Sequence, residues 1–315
     1  MIASRSLKTS RLKLSEIGLC CASLALDAKP QATREAKQML AEAQRSGITY
    51  FDTAPFYGRG LSERIVGDEL RRKDTLVISS KVGRMLIPNT NVSTHMPFDV
   101  SYDYSYDGVM SSVELSLQRL GLSKIDILLC HDIGRYTHGD KDAEQFSAFI
   151  DGGGYQAMEQ LRSAGIVKAI GLGVNEIEIC QRAMLYGKFD LFLLKGCYSL
   201  LDRTRALDFF ARCERDGTDI ILGEPFSYGW LFGDKKFDYA AMSAPMAKRH
   251  AALQNYCRSQ KVDIGAAALQ FPLLNPLVKS VIPGPKCRQE LTQILDWSKT
   301  SIAESFWQGL SNLDA

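Results

Sequence analysis

Four side chains in the first half of the chain have the types and spacing for proton transfer: Asp52, Tyr57, Lys81 and His131. Ile48-Thr-Tyr-Phe-Asp52 reads as a buried strand ending in a carboxylate, Val77-Ile-Ser-Ser-Lys81 as one ending in an amine, and Ile127-Leu-Leu-Cys-His131 as one ending in an imidazole. An isolated charge at a core strand end is costly unless paired, so Asp52 and Lys81 are expected to neutralise one another. Tyr57, on a loop containing Pro55 and Gly58, can swing over the same mouth. A free phenol titrates near about 10 and a nearby ammonium favours the phenolate, so Lys81 is expected to bring Tyr57 toward useful acid/base range. His131 could donate a hydrogen bond that polarises a carbonyl or orients a hydroxyl. Singly, each has an ordinary role as turn cap, packing ring, solvated amine or core imidazole. Together, at one end of one sheet, they point to function.

The elements that must position them are short apolar, β-rich runs alternating with stretches of helical period, the pattern of βα units around a parallel sheet. The runs are Glu16–Cys21, Ile48–Thr53, Leu76–Val82, Ile125–His131, Val167–Val174, Leu191–Tyr198, Asp219–Gly223 and Val278–Pro283. That number favours closure into an α/β (β/α)8 TIM barrel over an open doubly wound sheet. Helices are expected over Thr33–Ser46, with Ala36, Met39, Leu40 and Ala43 on one face, and over Ser112–Leu120, ending at Gly47 and Gly121. Ser6–Leu14 alternates around Thr9-Ser10 and suggests an N-terminal β-hairpin plugging the barrel floor. Three long connections, Met85–Asp107, Asp132–Gly154 and Phe226–Pro245, each follow a strand and so belong to the C-terminal face. No linker or low-complexity segment divides the chain, so residues 1–315 are expected to form one domain.

Of the 315 residues, 45% are hydrophobic and 23% charged, which sets disorder aside. The formal charge of +2 gives no sign of a nucleic-acid or polybasic membrane surface, and Arg71-Arg72-Lys73 reads as a solvated helix end. The eight cysteines lack C-x-x-C pairs or compact metal-ligand spacing and are expected to be reduced thiols, with no metal bound. A polar start and the lack of a long apolar run make the cytoplasm the expected compartment. A monomer or weak homo-oligomer acting on a small molecule is expected.

These residues resemble the aldo-keto reductase superfamily along nearly the whole chain. Phe51-Asp-Thr-Ala-Pro-Phe-Tyr-Gly58, followed by Leu61-Ser-Glu-Arg64, is similar to the family's Asp/Tyr signature, Ser79–Gly83 to its lysine segment, Asp126–Asp132 to its histidine segment and Ile282-Pro-Gly284 to its last strand. The resemblance implies Tyr57 as proton donor and acceptor, Lys81 and Asp52 as its tuning pair, and His131 with Asp132 on the substrate. It also implies a nicotinamide cofactor, NADP or NAD, bound without a Rossmann domain. Cys21, Asn175 and Lys195 would lie by the nicotinamide, Phe226 would stack on it, Ser227 and Gly229 would cover the pyrophosphate, and Gly284, Lys286, Arg288 and Glu290 would hold the adenosine end. The chain departs from the family pattern at Cys20 and Cys21, at Val174, at Lys195 and at Ile294, where many relatives carry an adenine-contacting Asn.

Within the superfamily, Phe98–Gly108 and Gly171–Glu176 look most like the bacterial aldose dehydrogenases, which include D-threo-aldose 1-dehydrogenases (L-fucose dehydrogenases) and have relatives that oxidise L-galactose or pyridoxal. The Tyr/Asp-rich loop suits a polyhydroxylated ligand, or else is a solvated turn before a helix. The leading expectation is oxidation at the anomeric carbon of an aldose to a lactone. A reductase of aldehydes or ketones, a pyridoxal dehydrogenase and a non-catalytic cofactor-binding regulatory barrel are the alternatives.

Overall fold

The computed structural model describes residues 2–73, 75–89, 96–232 and 244–310. Eight parallel strands form one sheet in chain order: β1 (Leu19–Cys20), β2 (Tyr50–Asp52), β3 (Val77–Val82), β4 (Ile127–His131), β5 (Ala169–Val174), β6 (Leu191–Lys195), β7 (Asp219–Gly223) and β8 (Val278–Ile282). The ends meet where Ile17 bridges Val281 in parallel, and where the Gly18 N–H donates to the Val281 carbonyl and the Cys20 N–H to that of Pro283. All eight expected runs therefore become strands of a barrel, Asp219–Gly223 with the bounds expected and the other seven shorter. β1 is cut to two residues, and β6 stops at Lys195 because Gly196 turns the chain with φ 69°.

Side chains alternate across each strand, and both faces are buried, one toward the barrel axis and one toward the helices. Tyr50, Val77, Ile127, Leu129, Leu191 and Ile221 belong to the inner cluster. Phe51, Ile78, Leu128, Cys130, Phe192 and Ile220 belong to the larger cluster beneath the helices. Counting by twos along each strand gives the inward position at its C-terminal end: Cys20, Asp52, Lys81, His131, Gly173, Lys195 and Gly223. The top layer of the barrel is thus polar on one side and glycine-lined on the other.

The N-terminal hairpin pairs Ser4–Ser6 antiparallel with Lys13–Ser15, and its Leu7, Leu12 and Leu14 join the inner cluster, closing the floor. Helix α1 (Pro30–Arg45) starts earlier than expected because Pro30 suits the first turn; Ala36, Met39, Leu40 and Ala43 are its buried face. Helix α2 (Leu61–Leu70) follows the Tyr57 loop. Helix α3 (Tyr106–Leu120) also starts early, where the Ser105 hydroxyl accepts from the Gly108 N–H, and ends at Gly121 with φ 63°.

The long connections leave from the C-terminal ends of their strands. The first is an antiparallel ribbon, Arg84–Pro88 paired with Phe98–Tyr102, rather than a loop. The second carries short helices at Arg135–His138 and Asp142–Ile150. The third begins with a 3-10 turn over Ser227–Phe232, and its middle lies outside the described residues. Among the described residues no helix is long and apolar enough to cross a membrane, and no group of His, Cys, Asp and Glu is arranged to hold a metal ion. All eight cysteines are free thiols.

Candidate active site

Lys81 and Asp52, on adjacent strands β3 and β2, make a buried ion pair. The Lys81 ammonium donates to Asp52 Oδ1 at 2.8 Å, Oδ2 at 2.6 Å and the Thr53 carbonyl at 3.0 Å, which accounts for its three N–H directions. Ser79, on the same face of β3, donates to Asp52 Oδ1 at 2.7 Å. Because the Ser79 proton is thus spent, the Tyr50 hydroxyl is the donor in the 2.9 Å contact with Ser79 Oγ. A buried carboxylate needs such a full set of partners to stay ionised. The strand itself is held from outside, where Ser80 Oγ donates to the fully buried Glu63 of α2 and Glu63 accepts from Arg119 of α3.

Tyr57 reaches this pair from a tight turn in which Gly58, Arg59 and Gly60 all have positive φ. Gly58 is required twice over: its φ is 56°, and an added Cβ would fall 2.3 Å from that of Ala25. The turn sets the Lys81 ammonium 4.6 Å from the centre of the Tyr57 ring. Contrary to the expected lowering by Lys81, burial, reinforced by Asp52, Cys20 and Asp132 and opposed by Arg84, pushes the Tyr57 phenol well above its ordinary value. Burial outweighs the nearby cations, and Asp52, bonded to Lys81, adds its negative charge beside the phenol.

His131 closes the other side. Burial, then the positive fields of Arg84, Lys81 and Lys195, holds its imidazole well below its ordinary value, so it is neutral near pH 7. Its Nδ1 is buried without a hydrogen-bond partner. The backbone carbonyl of His131 accepts from the Tyr104 hydroxyl at 2.8 Å, and that hydroxyl in turn pairs with His138 Nε2 at 2.9 Å. Since Tyr104 gives its proton to the carbonyl, His138 must donate to it. Asp132, with φ 46°, accepts from Arg84 at one carboxylate oxygen (2.5 Å) and from Asn175 at the other (2.8 Å). Its Oδ2 lies 3.5 Å from His131 Nε2.

These groups line one cavity of about 360 Å³, walled by Phe56, Tyr57, Tyr102 and Tyr136 and floored by Lys81, His131 and Lys195. A larger cleft of about 810 Å³ adjoins it through Tyr136, Asn175 and Lys195 and runs past Ser199 and Ser227. Arg84 is the mouth residue that sequence reasoning missed. The signal was its place just after Lys81-Val-Gly, at the start of a stretch read as loop.

The residues expected at the cofactor are distributed less evenly. Asn175 and Lys195 line both cavities. Cys21 does not face the mouth: its side chain belongs to the cluster beneath the helices, and its thiol contacts the Leu19 carbonyl. Cys20 is the inward thiol, raised to about 11 by burial and by Asp52. The Phe226 ring is engaged in packing with Phe232 and Trp297, at 5.3 and 5.5 Å between centres. Ser227 contacts Ser199 through their hydroxyls, and Gly229 has φ 82°. Gly284 lies against Cys20 and Ser23. The Lys286 N–H donates to Glu290, and Arg288 pairs with Glu42 of α1 at 2.7 Å. Ile294 is a core residue beneath the helices. In the Tyr/Asp-rich segment, Asp99 and Asp103 bond to their own backbone neighbours, so the ligand-facing contribution there is Tyr102.

The fold and site define a barrel oxidoreductase with a tyrosine set between a lysine–carboxylate pair and a histidine. The family model described as "Aldo/keto reductase family" matches residues 16–315, and the chain belongs to that family. It is 38% identical to pyridoxal 4-dehydrogenase of Microbacterium luteolum, covering 97% of this chain and 96% of that protein. It is 34% identical to D-threo-aldose 1-dehydrogenase of a Pseudomonas species, covering 88% and 87%. Among solved structures it superposes on an aldo-keto reductase from Bacillus halodurans in its holo form with a TM-score of 0.80, at 22% identity over 99% of this chain and 96% of the other.

Proposed function

We propose that the protein is an NAD(P)-dependent dehydrogenase that oxidises the hemiacetal carbon of a cyclic sugar to a lactone, with an aldopyranose as the leading substrate class. The observation that supports this best is the shared cavity in which Tyr57, 4.6 Å from the Lys81 ammonium, stands beside neutral His131. Its volume of about 360 Å³ suits a single sugar ring.

The residues fit a nicotinamide dinucleotide. At Gly223, on the inward face of β7, an added Cβ would meet nothing closer than 3.9 Å, and at Gly284 nothing closer than 3.5 Å, so both leave room over the barrel top. Asn175 and Lys195 would hold the nicotinamide end, Ser227 and Gly229 the pyrophosphate, and Lys286, Arg288 and Glu290 the adenosine end. When bound, the cofactor supplies the two-electron acceptor or donor of the reaction. In reduction Tyr57 gives its proton to the carbonyl oxygen and is left as a phenolate beside Lys81; in oxidation that phenolate takes the substrate hydroxyl proton. His131, neutral and therefore able to donate and accept, orients that hydroxyl. Lys81 stabilises that phenolate, and Asp52 holds the Lys81 ammonium in place.

A second reading, favoured by the 38% identity to pyridoxal 4-dehydrogenase, is oxidation of pyridoxal, whose aldehyde closes with its neighbouring hydroxymethyl to the same kind of cyclic hemiacetal. Purified protein assayed with NAD and with NADP against aldoses, pyridoxal and simple aldehydes tests both. Turnover of aldoses supports the first reading and of pyridoxal alone the second. Reduction of simple aldehydes without oxidation of either hemiacetal overturns both.

A further inference from the structure

Arg84 opens the ribbon strand after Lys81 and is 6% exposed. Its guanidinium stands 4.3 Å from the centre of the Phe56 ring and 5.8 Å from that of Tyr102. Nη2 donates to Asp132 and, at 3.3 Å, to Thr137. Nε is buried with no hydrogen-bond partner, although Arg84 lines the same cavity as Tyr57 and His131. A guanidinium packed against two rings and left with one desolvated N–H suits an oxygen acceptor that the protein itself does not supply.

Resting on the hemiacetal reading above, we infer that Arg84 is a specificity-determining residue that binds an oxygen substituent close to the reacting carbon of the substrate. Asp132 fixes the guanidinium through Nη2, and Asn175 fixes Asp132, so the donor is held in place before substrate arrives. Two sources share this chemistry, the C2 hydroxyl of an aldopyranose and the phenolic 3-hydroxyl beside the aldehyde of pyridoxal. A substrate lacking that oxygen leaves the Arg84 N–H buried and unmatched, which is where discrimination arises.

The test compares matched pairs, L-fucose with 2-deoxy-L-fucose and pyridoxal with 3-deoxypyridoxal, in the wild type, Arg84→Lys and Arg84→Ala. Loss of one charge-assisted hydrogen bond corresponds to about 10- to 100-fold in kcat/KM. The wild type is expected to prefer the oxygen-bearing member of its pair by that factor, and both variants to lose most of the preference, chiefly through KM. The pair whose ratio collapses identifies the source. Arg84→Lys keeps a cation for Asp132 and carries the test if Arg84→Ala does not fold. A merely structural Arg84 would lower both members equally, and an unchanged ratio in folded variants overturns the inference. Turnover of neither pair by the wild type overturns the hemiacetal reading instead and takes this inference with it.

Discussion

The Tyr57 and His131 rings meet edge to face, their centres 5.8 Å apart and their planes at 89°. That contact fixes the phenol and the imidazole with respect to each other before a substrate oxygen comes between them, the condition for proton transfer in a single geometry. Tyr57→Phe keeps the ring contact and removes only the hydroxyl. It is expected to lower kcat by about 100- to 10,000-fold, the usual worth of a positioned acid/base, while the thermal midpoint stays near that of the wild type. Following reduced-nicotinamide absorbance alongside a melt separates the two, and wild-type turnover in this variant removes Tyr57 from the mechanism.

The Lys81–Asp52 pair, 1% and 0% exposed, predicts a split between stability and activity. Asp52→Ala strands an ammonium in the barrel and is expected to cost about 3–5 kcal/mol in urea unfolding. Lys81→Met combined with Asp52→Asn removes both charges, leaves Ser79 an acceptor, and is expected to recover most of that loss. Turnover should be lost in the double variant, which leaves no cation beside the phenolate, and lowered in Asp52→Ala, whose ammonium is no longer held by a carboxylate. Recovery of activity in the double variant would show that the pair serves the fold alone.

Acid sensitivity follows from His131. Its folded value lies well below the ordinary 6.5, burial being the chief cause. Between those two values the unfolded chain binds the extra proton, so stability rises with pH there and is lost on acidification, by up to about 1.4 kcal/mol per pH unit for this one group. Asp132, raised by burial, acts in the opposite sense, but its window begins from a carboxylate's low ordinary value. His131→Gln is expected to flatten the fall in unfolding free energy between about pH 7 and pH 5. Parallel slopes in the two proteins would mean that other groups carry the acid response.

The strands and their polar ends were legible because a barrel strand is a short apolar run and a charge at its end stands out. Which face each residue takes was not. Both faces of these strands are buried, so hydrophobicity does not distinguish inward from outward, and Cys20 rather than Cys21 proves to be the inward thiol. The phase is set by register against Asp52, which pairs with Cys20 across β1 and β2. Arg84 was missed for a different reason: just past Gly83, whose φ is 96°, an apparent loop is an antiparallel ribbon whose first residue lines the mouth. The ring of Phe226 was assigned by position alone, and helix-side partners such as Trp297 compete for it.

Gly83 itself carries a prediction. An added Cβ would fall 2.1 Å from the Tyr104 ring, at a φ that side chains rarely adopt. Gly83→Ala is therefore expected to displace Tyr104, the donor to the His131 carbonyl, and to destabilise the fold by about 1–3 kcal/mol through strain. Because Arg84 follows directly, KM should rise as well. A folded Gly83→Ala protein with unaltered kinetics would show that this turn does not position the mouth.

With Arg288 placed at the adenosine end as proposed above, the choice between NAD and NADP is expected to turn on it. Its guanidinium is paired with Glu42 at 2.7 Å and is 59% exposed, while Glu42 is 24% exposed. A cation already matched by a carboxylate has less to offer a 2′-phosphate, and the Glu42 charge repels one, so the wild type is expected to favour NAD. Glu42→Gln frees the guanidinium without removing the side chain. An exposed pair of this kind is worth at most about 1 kcal/mol, so the NADP-to-NAD affinity ratio should shift toward NADP by up to about 5-fold. Titration of intrinsic tryptophan fluorescence with each dinucleotide measures the ratio without turnover. If Glu42→Gln and Arg288→Ala both leave it unchanged, the adenosine end does not lie against the start of the last barrel helix, and the assignment of Lys286, Arg288 and Glu290 to it fails.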